Sequence, residues 1–281
     1  MTQSQGPLPN FFVVGTAKCA TTSLARFFEQ HPDVCFCQAH EPNFFAFDAN
    51  YAKGLDFYRS RYSHYDGERA IGEKSWRYSC SATYPDALER MLAAVPMFKA
   101  IYVVRDPLPR ALSMWRELRD GGQDILPADP NKALREANIV TDSMLYDSQI
   151  GRFEDVLGKD NVLIVFYEDF LDDPRGFYSQ ICEFLEIAGF YPEEDIHANK
   201  SVAQRSDTRL LSAIRTSGLA APLRRLAPAP VRKLVRNLLK QPVGEIEISA
   251  ETRRMFFERV GPDCAALLAR TGRDPNFWTL S

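Results

Sequence analysis

Lys18 stands in the loop Gly15-Thr16-Ala17-Lys18-Cys19-Ala20, and three hydroxyl residues, Thr21, Thr22 and Ser23, follow at once. An apolar, β-prone run, Phe11-Phe12-Val13-Val14, leads into that loop, and Leu24, Phe27 and Phe28 recur behind it at helical spacing. A strand, a glycine-containing loop with a lysine, and a helix opening on hydroxyls make a cradle for an anion. The first N–H groups of a helix have no partner inside it and point at the ligand, and the helix dipole adds partial positive charge there. Lys18 adds a mobile full charge. The pattern is not a Walker A loop, because no Gly-Lys-Ser/Thr closes it. No hydroxyl follows the lysine directly, where the usual magnesium site needs one, which points to phosphate or sulfate chemistry without that metal. Taken alone, the same residues also read as a helix cap beside a surface lysine.

A second anion site is spelled by Arg105. The run Lys99 to Val104 is the clearest buried strand in the chain and delivers Arg105 at its end, where open parallel sheets bind ligands. Pro107 suits the first turn of a following helix. Ser113 falls about two turns into that helix, placed to converge with Arg105 on one phosphate. The arginine fork suits this task, although an Arg105–Asp106 turn beside a helical serine is the blander reading. Two separate anion sites imply one ligand with phosphate at both ends.

The elements that must position these residues alternate. Val34-Cys35-Phe36 and Val162 to Phe166 read as further strands; Thr21 to Gln30, Tyr84 to Ala94 and Pro174 to Ile187 read as helices. The fold expected is α/β, a mostly parallel central sheet flanked by helices, of the P-loop nucleotide-binding kind. Gly121 to Asp142, with weak periodicity and several Pro and Gly residues, reads as an irregular insertion near the site. The 281 residues suit a single domain, with a helical, basic C-terminal segment (about 205–281) packed on it. Within that segment Pro230 to Gln241 carries Val231, Leu234, Val235, Leu238 and Leu239 on one stripe, with Arg232, Lys233, Arg236 and Lys240 off it. The helix 230–241 is either an ordinary amphipathic helix or a docking surface for an anionic substrate, a carrier protein or a membrane surface.

Composition narrows the class. A formal net charge of −3 gives nucleic-acid binding no general support. Six cysteines form no paired metal signature and read as free buried thiols rather than zinc ligands or disulfides. The polar start of the chain lacks the pattern of a signal peptide, and no apolar stretch is long enough to span a bilayer, so a cytoplasmic location is expected.

The chain resembles the family of sulfotransferases that use 3′-phosphoadenosine 5′-phosphosulfate, nearest to the branch of heparan sulfate and bacterial enzymes. Gly15 to Leu24 looks like the family's 5′-phosphosulfate loop, and Tyr102 to Pro107 with Arg110, Ala111 and Ser113 looks like its 3′-phosphate motif. His31 to Val34, Glu41-Pro42-Asn43-Phe44-Phe45, Gly72-Glu73-Lys74-Ser75 and Tyr167-Glu168-Asp169-Phe170 match further elements in order. Asn199-Lys200-Ser201 and Arg205 look like the loop that closes over the nucleotide. Three positions depart from the pattern: Ala20 where glycine is common, His40 where lysine is common, and Trp76 where proline is frequent.

The resemblance implies in-line transfer of a sulfuryl group to an acceptor hydroxyl, or in the lesser alternative an amine, with no metal required. Lys18, Cys19, Ala20, Thr21, Thr22, Ser23, Arg105, Ser113, Lys200, Ser201 and Arg205 are the expected donor-binding residues. Lys18 stabilises the leaving oxygen, Glu41 is the expected base with His40 its competitor, and Lys74 tunes the base or polarises the sulfate. The acceptor is open: a sugar, lipid, polyketide or peptide hydroxyl. Two rival classes stand beside this one: a P-loop kinase using nucleoside triphosphate and magnesium, and a nucleotide-binding protein without catalysis.

Overall fold

The computed structural model describes residues 6–16, 18–19, 21–39, 41–120, 126–192, 205–207, 240–242 and 246–280. Five strands form one sheet: β1 (Phe11–Val13), β2 (Val34–Phe36), β3 (Ala70–Lys74), β4 (Lys99–Val104) and β5 (Val162–Phe166). Their spatial order is β2-β3-β1-β4-β5 and every pairing is parallel. All five carboxyl ends therefore open on one edge. From β1 the chain builds outward on one side to β2 and β3, and on the other to β4 and β5. That reversal places the switch point, and its crevice, beside β1.

The helices are α1 (Thr21–Gln30), α2 (Asp48–Tyr51), α3 (Gly54–Arg59), α4 (Ala87–Ala94), α5 (Pro107–Asp120), α6 (Pro130–Glu136), α7 (Asn138–Asp142), α8 (Tyr146–Leu157), α9 (Tyr167–Asp172), α10 (Pro174–Leu185) and α11 (Ala250–Arg270). Alternation along the strands sorts side chains between two cores. Phe12, Ala100, Tyr102 and Val104 enter one, with residues of α4, α5, α8 and α11. Phe11, Val13, Ile101 and Val103 enter the other, under α1 and α10. Such strands, covered on both faces, need the continuous apolar runs found here. Close packing also dictates two glycines: a Cβ on Gly15 would lie 2.4 Å from the Tyr102 ring, and one on Gly72 2.2 Å from the Phe11 ring.

The central strands and α1 follow the sequence expectation, and the differences elsewhere have local causes. The expected irregular insertion contains α6 and α7 in its described part. Pro130 starts α6 rather than breaking it, and the Asp129 side chain accepts the Asn131 N–H as cap. The helix expected from Tyr84 begins at Ala87, because the residue before Pro85 is kept out of helical geometry. The helix expected to reach Ile187 ends at Leu185: Glu186 turns left-handed at φ 57° and the Ile187 N–H closes on the Cys182 carbonyl. Two short antiparallel strands, β6 (Arg205–Asp207) and β7 (Lys240–Pro242), pair apart from the main sheet. Lys240 and Gln241 are thus strand, not the end of the expected basic helix 230–241, whose other residues lie outside the described ones. All six cysteines are free and buried. Among the described residues no helix is long and apolar enough to cross a membrane.

Candidate functional site

The site forms where β1 and β3 end side by side, Val13 opposite Lys74. Past β1 the chain is held tightly. The Val14 N–H reaches the Ile101 carbonyl at 3.0 Å, and the buried Thr16 hydroxyl donates to the Val103 carbonyl at 2.5 Å. That bond uses the only Thr16 proton, so the Cys19 thiol donates to Thr16 Oγ1, at 2.8 Å. Cys19 is therefore a structural strut of the loop, and burial raises its thiol above the ordinary range. Lys18 adopts φ 69°, a left-handed conformation unusual for a side-chain-bearing residue. Thr21 and Thr22 open α1, and Ser23 is buried in its first turn.

Arg105 leaves the end of β4 and turns toward this loop. Its Nη1 donates to the Lys18 carbonyl at 3.0 Å, and its guanidinium lies 4.6 Å from the Tyr167 ring centroid. The two expected anion-binding residues therefore lie side by side. Lys18 Nζ sits 3.7 Å from Glu117 on α5. Glu117 lies one turn beyond the half-buried Ser113, so that face of α5 is turned to the loop. Arg205 belongs to β6, which lies against α5.

On the other flank, Lys74 at the end of β3 meets Glu41 at 3.2 Å. The sequence reading placed these two together, and they are. It missed Arg77, whose Nη1 approaches the other Glu41 oxygen at 3.3 Å while its guanidinium stacks on Trp76 at 4.5 Å. Lys74 is almost wholly buried, with 4% of its side chain exposed, so its charge needs the Glu41 carboxylate. The loop carrying Glu41 is pinned three more times: Ser75 Oγ donates to Asn43 Oδ1 at 2.5 Å, Asn43 Nδ2 donates to the Glu41 carbonyl at 3.1 Å, and the Phe44 N–H donates to the Tyr78 hydroxyl at 2.9 Å. Tyr78 in turn donates to Glu73 at 2.7 Å, and Tyr62 donates to the other Glu73 oxygen at 3.1 Å. Burial raises the Glu73 carboxyl to about 7 against the pull of these hydroxyls. Arg77 and Tyr78 had one sequence signal: they follow the Glu-Lys-Ser segment just beyond Trp76.

Ala20, His40, Lys200 and Ser201 lie outside the described residues. Among the described residues no three His, Cys, Asp or Glu side chains are grouped where they could share a metal ion.

Comparison with known proteins gives the family and the fold. A family model described as sulfotransferase domain matches residues 8–210. A membrane-associated sulfotransferase, kil1, of Dictyostelium discoideum is 31% identical over 111 residues, 38% of this chain and 22% of that protein. The heparan sulfate glucosamine 3-O-sulfotransferase 3B1 of Homo sapiens is 27% identical over 239 residues, 82% of this chain and 60% of that protein. The chain thus spans less than two thirds of these relatives. A crystal structure of a sulfotransferase from Alicyclobacillus acidocaldarius superposes with a TM-score of 0.66 at 25% identity, covering 95% of this chain and 97% of that one.

Proposed function

The chain belongs to the sulfotransferase domain family, and from that premise we propose that it moves a sulfuryl group from 3′-phosphoadenosine 5′-phosphosulfate to an acceptor hydroxyl. The observation that carries the reading is the bond from Arg105 to the Lys18 carbonyl, which sets the two cationic residues side by side at the switch point. Lys18, the backbone of the loop, and Thr21, Thr22 and Ser23 take the 5′-phosphosulfate end. Arg105 and Ser113 take the 3′-phosphate, with Lys200, Ser201 and Arg205 closing over the nucleotide. Arg105 already lies over Tyr167, so little rotamer freedom is lost when the phosphate arrives.

In the reaction the acceptor oxygen bonds to sulfur as the bond from sulfur to the bridging phosphate oxygen breaks. Charge grows on that leaving oxygen, and Lys18 meets it in the crevice. Glu41 takes the acceptor proton. Lys74 and Arg77 keep Glu41 aimed at the crevice, and Lys74 stands close enough to that carboxylate to face the transferring group as well. His40 is the rival base. The remote grip on the 3′-phosphate supplies binding energy that fixes the reacting atoms in line. We place the protein in the cytoplasm, since six free buried thiols suit a reducing compartment.

The test is transfer of labelled sulfate from the donor into a cell extract, in EDTA, with products identified by mass spectrometry. Labelled acceptor should form with the native chain and not with Lys18→Ala. Equal labelling by the two proteins would refute the assignment.

A further inference from the structure

The peptide joining Arg105 to Asp106 is gripped from both sides. The Tyr146 hydroxyl donates to the Arg105 carbonyl at 2.7 Å, and the Asp106 N–H donates to Glu168 Oε1 at 2.9 Å. Both grips are touched by one residue near the end of the chain. Trp278 Nε1 donates to the same Glu168 oxygen at 3.1 Å, and its ring packs 5.7 Å from Tyr146 and 5.6 Å from Phe166. The next residue contributes too: the Asp106 carboxylate accepts backbone N–H groups from Leu108 and Thr279. A strap after α11 thus lies directly behind the arginine that faces the crevice. Trp278 is buried, at 3% exposure, and lies beyond residues 8–210 that the family model matches.

A buried indole N–H needs an acceptor, and any carbonyl on α8 or β5 would have served. Here the acceptor is the carboxylate that already carries the Asp106 N–H. Glu168 Oε2 is buried and has no hydrogen-bond partner among the described residues, so within this carboxylate only Oε1 joins strap and peptide. Without the Trp278 N–H the carboxylate loses one of the bonds that orient it, and its grip on the Asp106 N–H, which helps aim Arg105, loosens.

We propose that Trp278 is a positioning residue for the 3′-phosphate anchor, holding the Arg105–Asp106 peptide through Glu168 and Tyr146. The inference rests on the donor reading above, and one titration set separates the two. Affinities for adenosine 3′,5′-bisphosphate and for adenosine 5′-monophosphate are measured by calorimetry in EDTA, and their ratio reports the 3′-phosphate alone. In the native chain the bisphosphate binds tighter. Trp278→Phe keeps an aromatic ring but loses the N–H, and the ratio falls about fivefold to tenfold, the worth of one ordinary hydrogen bond, while monophosphate affinity holds. Phe277→Leu, which loosens the same strap without touching that bond, leaves the ratio unchanged. Should Trp278→Phe not fold, Arg273→Gln frees the strap's outer tie to Asp169 and gives a smaller fall in the same ratio. A variant ratio equal to the native one, or the same fall in Phe277→Leu, overturns the proposal. A native ratio of one would instead sink the donor reading itself.

Discussion

At the scale of single residues the site is governed by a carboxylate facing two cations. Glu41 meets Lys74 and Arg77, and both cations are largely buried, so neither is held at negligible cost unless the carboxylate stays. Glu41→Gln should lower kcat by about a hundredfold or more while bisphosphate affinity changes little, because it removes proton transfer and not donor contacts. A larger kcat loss in His40→Ala, with Glu41→Gln near native, would transfer the role of base. One shell deeper, Glu73 offers a prediction about stability. The unfolded chain releases this proton near 4.5, whereas the folded chain holds it to about 7. Between those values the folded state binds more protons. Stability therefore falls as pH rises from about 4.5 to about 7 and levels off above, by on the order of 3 kcal/mol from this group. Urea midpoints at pH 5 and pH 8 should differ for the native chain and converge for Glu73→Gln. Equal slopes in the two proteins would clear Glu73 of the effect.

At the scale of elements, β1 and its loop are fixed by close contact rather than by a ligand. Gly15 lies against the Tyr102 ring, and Thr16 ties the loop to β4. Gly15→Ala forces a Cβ into that ring, so the loop or β4 must shift; bisphosphate affinity should drop by about tenfold or more, with loss of thermal stability. Native affinity in this variant would show that the loop adapts freely. The strands that were legible in the sequence, β1, β2, β4 and β5, are short uninterrupted apolar runs. β3 was not legible as a strand, because Glu73 and Lys74 break its apolar pattern with two buried ionisable side chains. Glu73 is sheltered by Tyr78, five residues on, and by Tyr62, and Lys74 by the sequence-distant Glu41. The helices α6 and α7 were hidden by prolines and polar residues that turn out to be caps and first turns.

At the scale of the whole molecule, a parallel sheet gathers Lys18, Glu41, Lys74 and Arg105 from four separate stretches of chain onto one edge. Local signals placed Lys18, Glu41 and Arg105 just past strands, and the resemblance alone singled out Lys74 and supplied their order. What neither could supply was the long-range support: Arg77 and Tyr78 under the Glu41 loop, Glu117 against Lys18, and Trp278 behind Arg105. Arg77 and Tyr78 sit near the Glu-Lys-Ser segment, but their reach to the Glu41 loop, like the contacts of Glu117 and Trp278, is set only once the sheet has formed, so spacing alone does not announce it. The central claim is that the crevice grips both ends of one doubly phosphorylated nucleotide without help from magnesium. Thermal unfolding in EDTA with adenosine 3′,5′-bisphosphate at about a hundredfold excess over its dissociation constant tests it most directly. The claim predicts a rise in Tm of about 5–10 °C, reduced in Arg105→Glu, and little response to ATP under the same conditions. No shift with the bisphosphate, or a larger one with ATP once magnesium is added, would contradict it.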